Sequence, residues 1–194
     1  LPTSVFDLTD PEWNGKIGVA PGNGSFQDFV TAMRITEGDE ATVAFLEGLA
    51  ANDAVTYENN NAIVEAVARG EVEVGLVNHY YNYRRLIEVP SSPTANHVFA
   101  EGDAGALLII TGIAILEGAD GNEDALKLVE WLLGVDAQKY FADETFEYPL
   151  AIGSSPTSAI PAITFADVGG IDFSDLGEDL QRTREMITEA GLTG

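Results

Sequence analysis

The stretch from Val72 to Arg85 limits most sharply what this chain can become. Val72, Val74, Leu76 and Val77 form an apolar, largely β-branched run of the kind that makes a buried strand. The seven positions from His79 to Arg85 hold that histidine, three tyrosines (Tyr80, Tyr81, Tyr83) and two arginines (Arg84, Arg85). A strand that ends in polar aromatics delivers them to a site. Adjacent strand residues point to opposite faces, so Tyr80 and Tyr81 converge on one ligand only where the backbone leaves β geometry. The pattern therefore predicts a strand-to-helix turn at the tyrosine pair, with a helix from Tyr81 to Leu86.

Elsewhere strand and helix signals alternate. Asp10-Pro11 and Asn14-Gly15 read as a turn, Ile17 to Ala20 as a short buried strand, and Pro21-Gly22-Asn23-Gly24-Ser25 as a loop feeding a helix over Phe26 to Arg34. A helix from Glu40 to Ala51 places Val43, Leu46, Leu49 and Ala50 on one face. Thr56-Tyr57 starts a strand, and Ala62 to Arg69 is helical with Gly70 as its stop. After a Pro and Ser loop at 90–93, His97 to Phe99 and Leu107 to Leu116 read as apolar strands. Helices follow over Glu123 to Leu133 and Asp136 to Asp143. A proline-punctuated segment from Tyr148 to Pro161 then leads to a last helix over Leu176 to Ala190, capped by Ser174 or Asp175. This alternation predicts an α/β fold.

A chain of 194 residues with 45% hydrophobic content buries one sizeable core or two small ones. It has no run of about 18 apolar residues to span a bilayer. The net charge of -23, with nine Lys and Arg scattered along the chain, argues against nucleic acid and against an anionic membrane surface. Carboxylates such as Glu37, Asp39, Glu40, Asp120, Glu123 and Asp124 are spread over helix starts and loops, which reads as a hydrated face. Cysteine is absent, which excludes disulfides and cysteine-based metal or catalytic sites. Leu1 to Ser4 has neither the basic nor the apolar region of an export signal.

The glycine loop at Pro21 to Ser25 lies between a strand and a helix, where free backbone amides favour an anion. It lacks the Gly-Lys-Ser/Thr ending of a P-loop and is equally read as an ordinary connection. A tyrosine cluster has two readings as well, packing with a satisfied hydroxyl or ligation of a hard cation through phenolate oxygen. A phenol ionises near pH ~10, so ligation at neutral pH requires the metal to displace the proton, with Arg84 or Arg85 assisting. Tyr83 is expected to face away from the pair, and His79 and His97 are not expected to ligate.

The run Gly70 to Tyr81 with Arg84 beyond it resembles the tyrosine-pair signature of ferric-iron-binding proteins of bacterial ABC importers. The likeness extends to Ser4 to Trp13, Tyr57-Glu58-Asn59-Asn60 and Ala137 to Ala142. This resemblance implies a class II periplasmic-binding-protein-like fold, mainly its carboxyl-terminal lobe. Residues 1–110 and 162–194 would form that lobe, and 111–161 would belong to the first lobe, whose amino-terminal part is not in the sequence. It implies Tyr80 and Tyr81 as metal ligands, Asn23, Gly24, Ser25, Asn60 and Asn78 as contacts to a synergistic carbonate or phosphate, and Arg84 and Arg85 just behind them.

The implied function is the substrate-binding component of an ABC importer, not an enzyme, carrying Fe(III) as transported ligand to a permease. Its implied placement is periplasmic or extracellular, with membrane association only through the permease or a lipid anchor on an amino-terminal segment. Two other readings stand beside it. The same fold could bind a polyamine, thiamine or an organic phosphate, or an acidic enzyme could act on a phosphorylated substrate; for the latter no acid/base pair or triad is evident.

Overall fold

In the computed structural model, residues 1–100, 102–151, 153, 160 and 180–192 are described. The chain divides into two compact units, Leu1–Ile109 with Thr164–Gly194, and Ile110–Ile163.

The first unit is built on a three-stranded parallel sheet. Strand β1 (Ile17–Val19) lies between β2 (Val55–Thr56) and β3 (Val74–Gly75). Gly18 pairs with Val55 on one side and with Gly75 on the other. Side chains alternate across a strand, and that alternation separates two packed layers here. Ile17 and Val19 are completely buried and join a core with Phe26, Val30, Met33, Phe45, Leu46, Leu49, Met186 and Ile187. Those residues come from helices α1 (Gly24–Glu37), α2 (Asp39–Ala51) and α7 (Leu180–Glu189). The opposite face, at Gly18 and Gly75, meets Ile63 of α3 (Asn60–Arg69).

Each helix starts and stops for a local reason. Asn23 caps α1, its Oδ1 accepting from Ser25 N–H at 3.0 Å. On α2 the buried set is Thr42, Phe45, Leu46 and Leu49, one helical face at i, i+3, i+4, i+7. Val43 and Ala50, expected on this face, are partly buried and packed against the core, while Phe45 meets the rings of Phe6 and Phe29 edge-on. Asn59 caps α3, which ends at Gly70 in the left-handed region (φ 70°), a backbone that glycine adopts without steric cost. Helix α7 is tied to α1 by the buried Thr31–Thr183 hydroxyl pair at 2.8 Å. Its expected beginning at Leu176, with the caps Ser174 and Asp175, lies outside the described residues, as does most of the expected loop from Tyr148 to Pro161.

Three expectations are corrected. Helix α4 runs His79–Glu88 and so begins two residues before Tyr81. Neither His97 to Phe99 nor Leu107 to Leu116 is a strand; among the described residues the sheet has only its three members. A strand exists by pairing with a neighbour, and these segments have apolar composition without a ladder partner.

In the second unit, α5 (Glu123–Leu132) is followed by α6 (Val135–Glu144). The buried Gln138 fastens it, donating to Leu132 O at 2.9 Å and accepting from the N–H groups of Leu150 and Ala151. Ile113, Leu126, Trp131 and Leu133 of this unit are exposed, Trp131 by 59%. Among the described residues, no helix is long and apolar enough to cross a membrane.

The tightest approach in the sheet generates a prediction. A Cβ on Gly75 would lie 2.2 Å from Ile63 Cγ2, inside any real contact. Gly75→Ala should therefore cost about 1–3 kcal/mol as α3 is forced off the sheet. Gly22→Ala, where an added Cβ meets nothing within 4 Å, should leave stability near that of the unchanged chain. Urea unfolding of both variants measures the difference, and an unaffected Gly75→Ala would show that α3 yields freely.

Candidate functional site at the carboxyl ends of the strands

Because the three strands are parallel, the loops that leave their carboxyl ends emerge along one edge of the sheet. β1 runs into Pro21 to Ser25, β2 into the asparagine turn at Asn59-Asn60, and β3 into Asn78 and the tyrosine helix. Ligand-binding groups in open α/β sheets collect at that edge.

Two of these loops are joined by side chains. Asn60, 2% exposed at the start of α3, donates from Nδ2 to Ser25 Oγ at 3.1 Å. Ser25 Oγ in turn donates to Asn23 Oδ1 at 2.9 Å. Asn60, Ser25 and Asn23 thus form one hydrogen-bond chain across the amino end of α1. Gly24 is the first residue of that helix, and it and Gly22 are exposed, with open space where a Cβ would stand. Asn23 takes up most of the first-turn amides of α1, its Oδ1 accepting from Ser25 N–H and its carbonyl from Phe26 and Gln27 N–H, and the helix start beside the exposed Gly24 carries a partial positive charge.

The tyrosine pair occupies the first turn of α4. The rings of Tyr80 and Tyr81 lie 4.5 Å apart at 31°, both half-buried. His79 meets Tyr80 edge-on at 5.6 Å. Tyr83 meets the ring of His79 edge-on. With the helix starting at His79, it stands one turn further on, 6.1 Å from the His79 ring and three residues from Tyr80. Asn78 is the N-cap residue of α4 but makes no side-chain capping bond.

The two arginines have different surroundings. Arg85 is committed to structure: it pairs with Glu65 of α3 and donates from Nε to Ser92 Oγ at 2.9 Å. Arg84 is exposed. Three features were absent from the sequence-based site. Asn96 donates from Nδ2 to His79 O at 3.0 Å and pins the start of α4. Tyr57 has its pKa raised by burial, with the Glu71 carboxylate adding to the effect. Asn82 is buried within α4. Only Asn82 had a sequence signal, its place one turn beyond Asn78.

Among the described residues, no three His, Cys, Asp or Glu side chains gather to hold a metal ion. The chemistry available at this edge is phenol oxygens beside amide and hydroxyl donors, a set suited to a hard cation and an oxyanion together.

Comparison with known proteins gives a concordant result. The chain is 28% identical over 197 residues to the Fe(3+)-binding periplasmic protein of Serratia marcescens, covering 99% of this chain and 57% of that protein. It is 28% identical over 194 residues to the major ferric iron-binding protein of Neisseria meningitidis, with 99% and 58% covered. The chain thus spans less than two thirds of these relatives' length. The crystal structure of iron-bound HitA from Pseudomonas aeruginosa superposes with a TM-score of 0.91 at 31% identity, over 98% of this chain and 62% of that one. The fold is therefore that of class II periplasmic binding proteins. The model of the bacterial extracellular solute-binding protein family matches residues 1–173, and the chain belongs to that family.

Proposed function

We propose that this chain is the ferric-iron-binding part of the solute-binding component of an ABC importer. The observation that carries the reading is the placement at one sheet edge of a close, tilted tyrosine pair and the Asn60–Ser25–Asn23 hydrogen-bond chain at a helix start. The relatives, which are named as iron-binding proteins, support it.

In this reading Tyr80 and Tyr81 ligate Fe(III) through their phenolate oxygens. Ferric iron is a hard, highly charged cation that takes anionic oxygen. A carbonate or phosphate fills further positions on the metal and is held at Asn23, Gly24, Ser25, Asn60 and Asn78. Arg84 supplies positive charge to the ionised phenols, while Arg85 braces α4 against α3. Each bound phenolate releases a proton, so iron affinity falls as pH falls. The chain binds and delivers its ligand to a permease in the periplasm and performs no chemical conversion.

Residues 111–161 belong, in the same reading, to the first lobe of a two-lobed protein, and capture proceeds by hinge closure of the lobes over metal and anion. The exposed Ile113, Leu126, Trp131 and Leu133 fit a surface that the rest of that lobe covers.

Two experiments test this. Ferric citrate added with bicarbonate or phosphate should give a visible tyrosinate-to-iron band, and Tyr80→Phe or Tyr81→Phe should abolish it or weaken binding by orders of magnitude. Tyr83→Phe should leave it nearly unchanged. If both pair variants keep the coloured complex, the ligand assignment fails.

Titration against a competing chelator should show this chain holding iron much more weakly than a version extended at its amino terminus. Equal affinity would mean that the site is complete within these residues.

A further inference from the structure

Asn82 is the buried residue of α4, 4% exposed, and neither its Oδ1 nor its Nδ2 has a hydrogen-bond partner among the described residues. A buried carboxamide left unpaired on both sides lowers stability, and buried polar groups in folded proteins are nearly always satisfied. A leucine at this position would avoid that cost. The retained amide therefore points to a partner that the resting arrangement leaves unmade.

The backbone indicates which partner. Asn82 is the fourth residue of α4, one turn beyond the N-cap residue Asn78. Helical side chains tilt toward the amino end, so Asn82 lies over the turn that begins at Asn78. Asn78 is itself partly buried and does not spend its side chain on capping. Two uncommitted carboxamides thus stand about one helical turn apart on neighbouring rows. Each offers a donor and an acceptor, which suits either a direct pair or a shared internal water. The start of the helix is fixed independently, since Asn96 holds the carbonyl of His79, the residue between Asn78 and the tyrosines.

We propose that Asn82 is a positioning residue that orients the carboxamide of Asn78 toward the oxyanion, directly or through one internal water. The proposal rests on the anion role given to Asn78 above. Asn82 does not touch metal or anion; it sets the direction in which Asn78 donates. Groups that orient a metal site in this indirect way typically contribute about 10–100-fold in affinity.

The pair is tested by side-chain amide NMR on the full chain without iron, with the Asn82 signals assigned by their loss in Asn82→Leu. Asn78→Ala should displace the Asn82 amide signals, and sodium phosphate should shift the amide signals of both residues in the unchanged chain. Asn82 signals that stay in place in Asn78→Ala overturn the proposal.

Chelator competition for ferric ion in bicarbonate gives the energetic readout. Asn82→Leu should bind about tenfold more weakly, at the lower end of the range for such groups. The double variant Asn78→Ala/Asn82→Leu should be no weaker than Asn78→Ala alone. Additive losses, or unchanged affinity in Asn82→Leu, overturn it. Asn82→Ala is the second variant where leucine prevents folding. Absence of the tyrosinate band in the unchanged chain would sink the iron reading, while the amide signals still decide the Asn78–Asn82 pair.

Discussion

The pairing of Ile17–Val19 with a parallel neighbour on each side is the constraint on which the first unit depends. Three buried residues are too few to be stable alone, so the strand persists through what packs on its two faces. On one face, Ile17 and Val19 enter the core of α1, α2 and α7. On the other, Gly18 and Gly75 let Ile63 of α3 approach to distances that a side chain would forbid. Parallel pairing also determines where function can lie. Three loops leave one edge together, and two of them are already joined by the Asn60–Ser25 hydrogen bond. The same backbone ladder thus organises both the core and the candidate site.

What could be read in advance from the sequence was mostly local. The loop at Pro21 to Ser25 that feeds α1, the stop at Gly70 and the helical periodicity of α2 all act within a turn or two of the chain, where residue identity decides the outcome. Leu107 to Leu116 has the composition of a strand but lacks a ladder, because pairing is decided by distant backbone that composition does not report. The start of α4 was misplaced for a related reason. His79 and the tyrosines are indifferent helix formers, and Asn78 gives no side-chain cap to mark the boundary. That two-residue difference brings His79 into the helix, one turn before Tyr83, so that the two rings meet edge-on.

Arg85 shows how the same residue type can divide its roles. In the sequence, Arg84 and Arg85 are equivalent sources of positive charge near the tyrosines. In the structure Arg85 is partly buried against Glu65 and Ser92, holding α4 to α3 and to the following loop, while Arg84 remains exposed. A buried guanidinium without its carboxylate would be costly, so Glu65 and Arg85 act as a unit in orienting the tyrosine helix. Most other ion pairs, such as Arg69–Glu71 and Lys127–Asp124, are exposed and add little stability.

The strong acidity of the chain also becomes intelligible at the site. A net charge of -23 attracts cations over long range, yet among the described residues no carboxylate cluster competes for a metal. Carboxylates spread over a hydrated surface are screened by salt within roughly 8–10 Å. Beyond that distance they repel an anion only weakly. The same screening limits their pull on a cation, so what binds at the sheet edge is decided by contacts within a few ångströms. Asn23, Asn60 and Asn78 contribute neutral amides at that edge, so the charge nearest the tyrosines in the chain is that of Arg84 and Arg85, and Arg85 is already paired with Glu65.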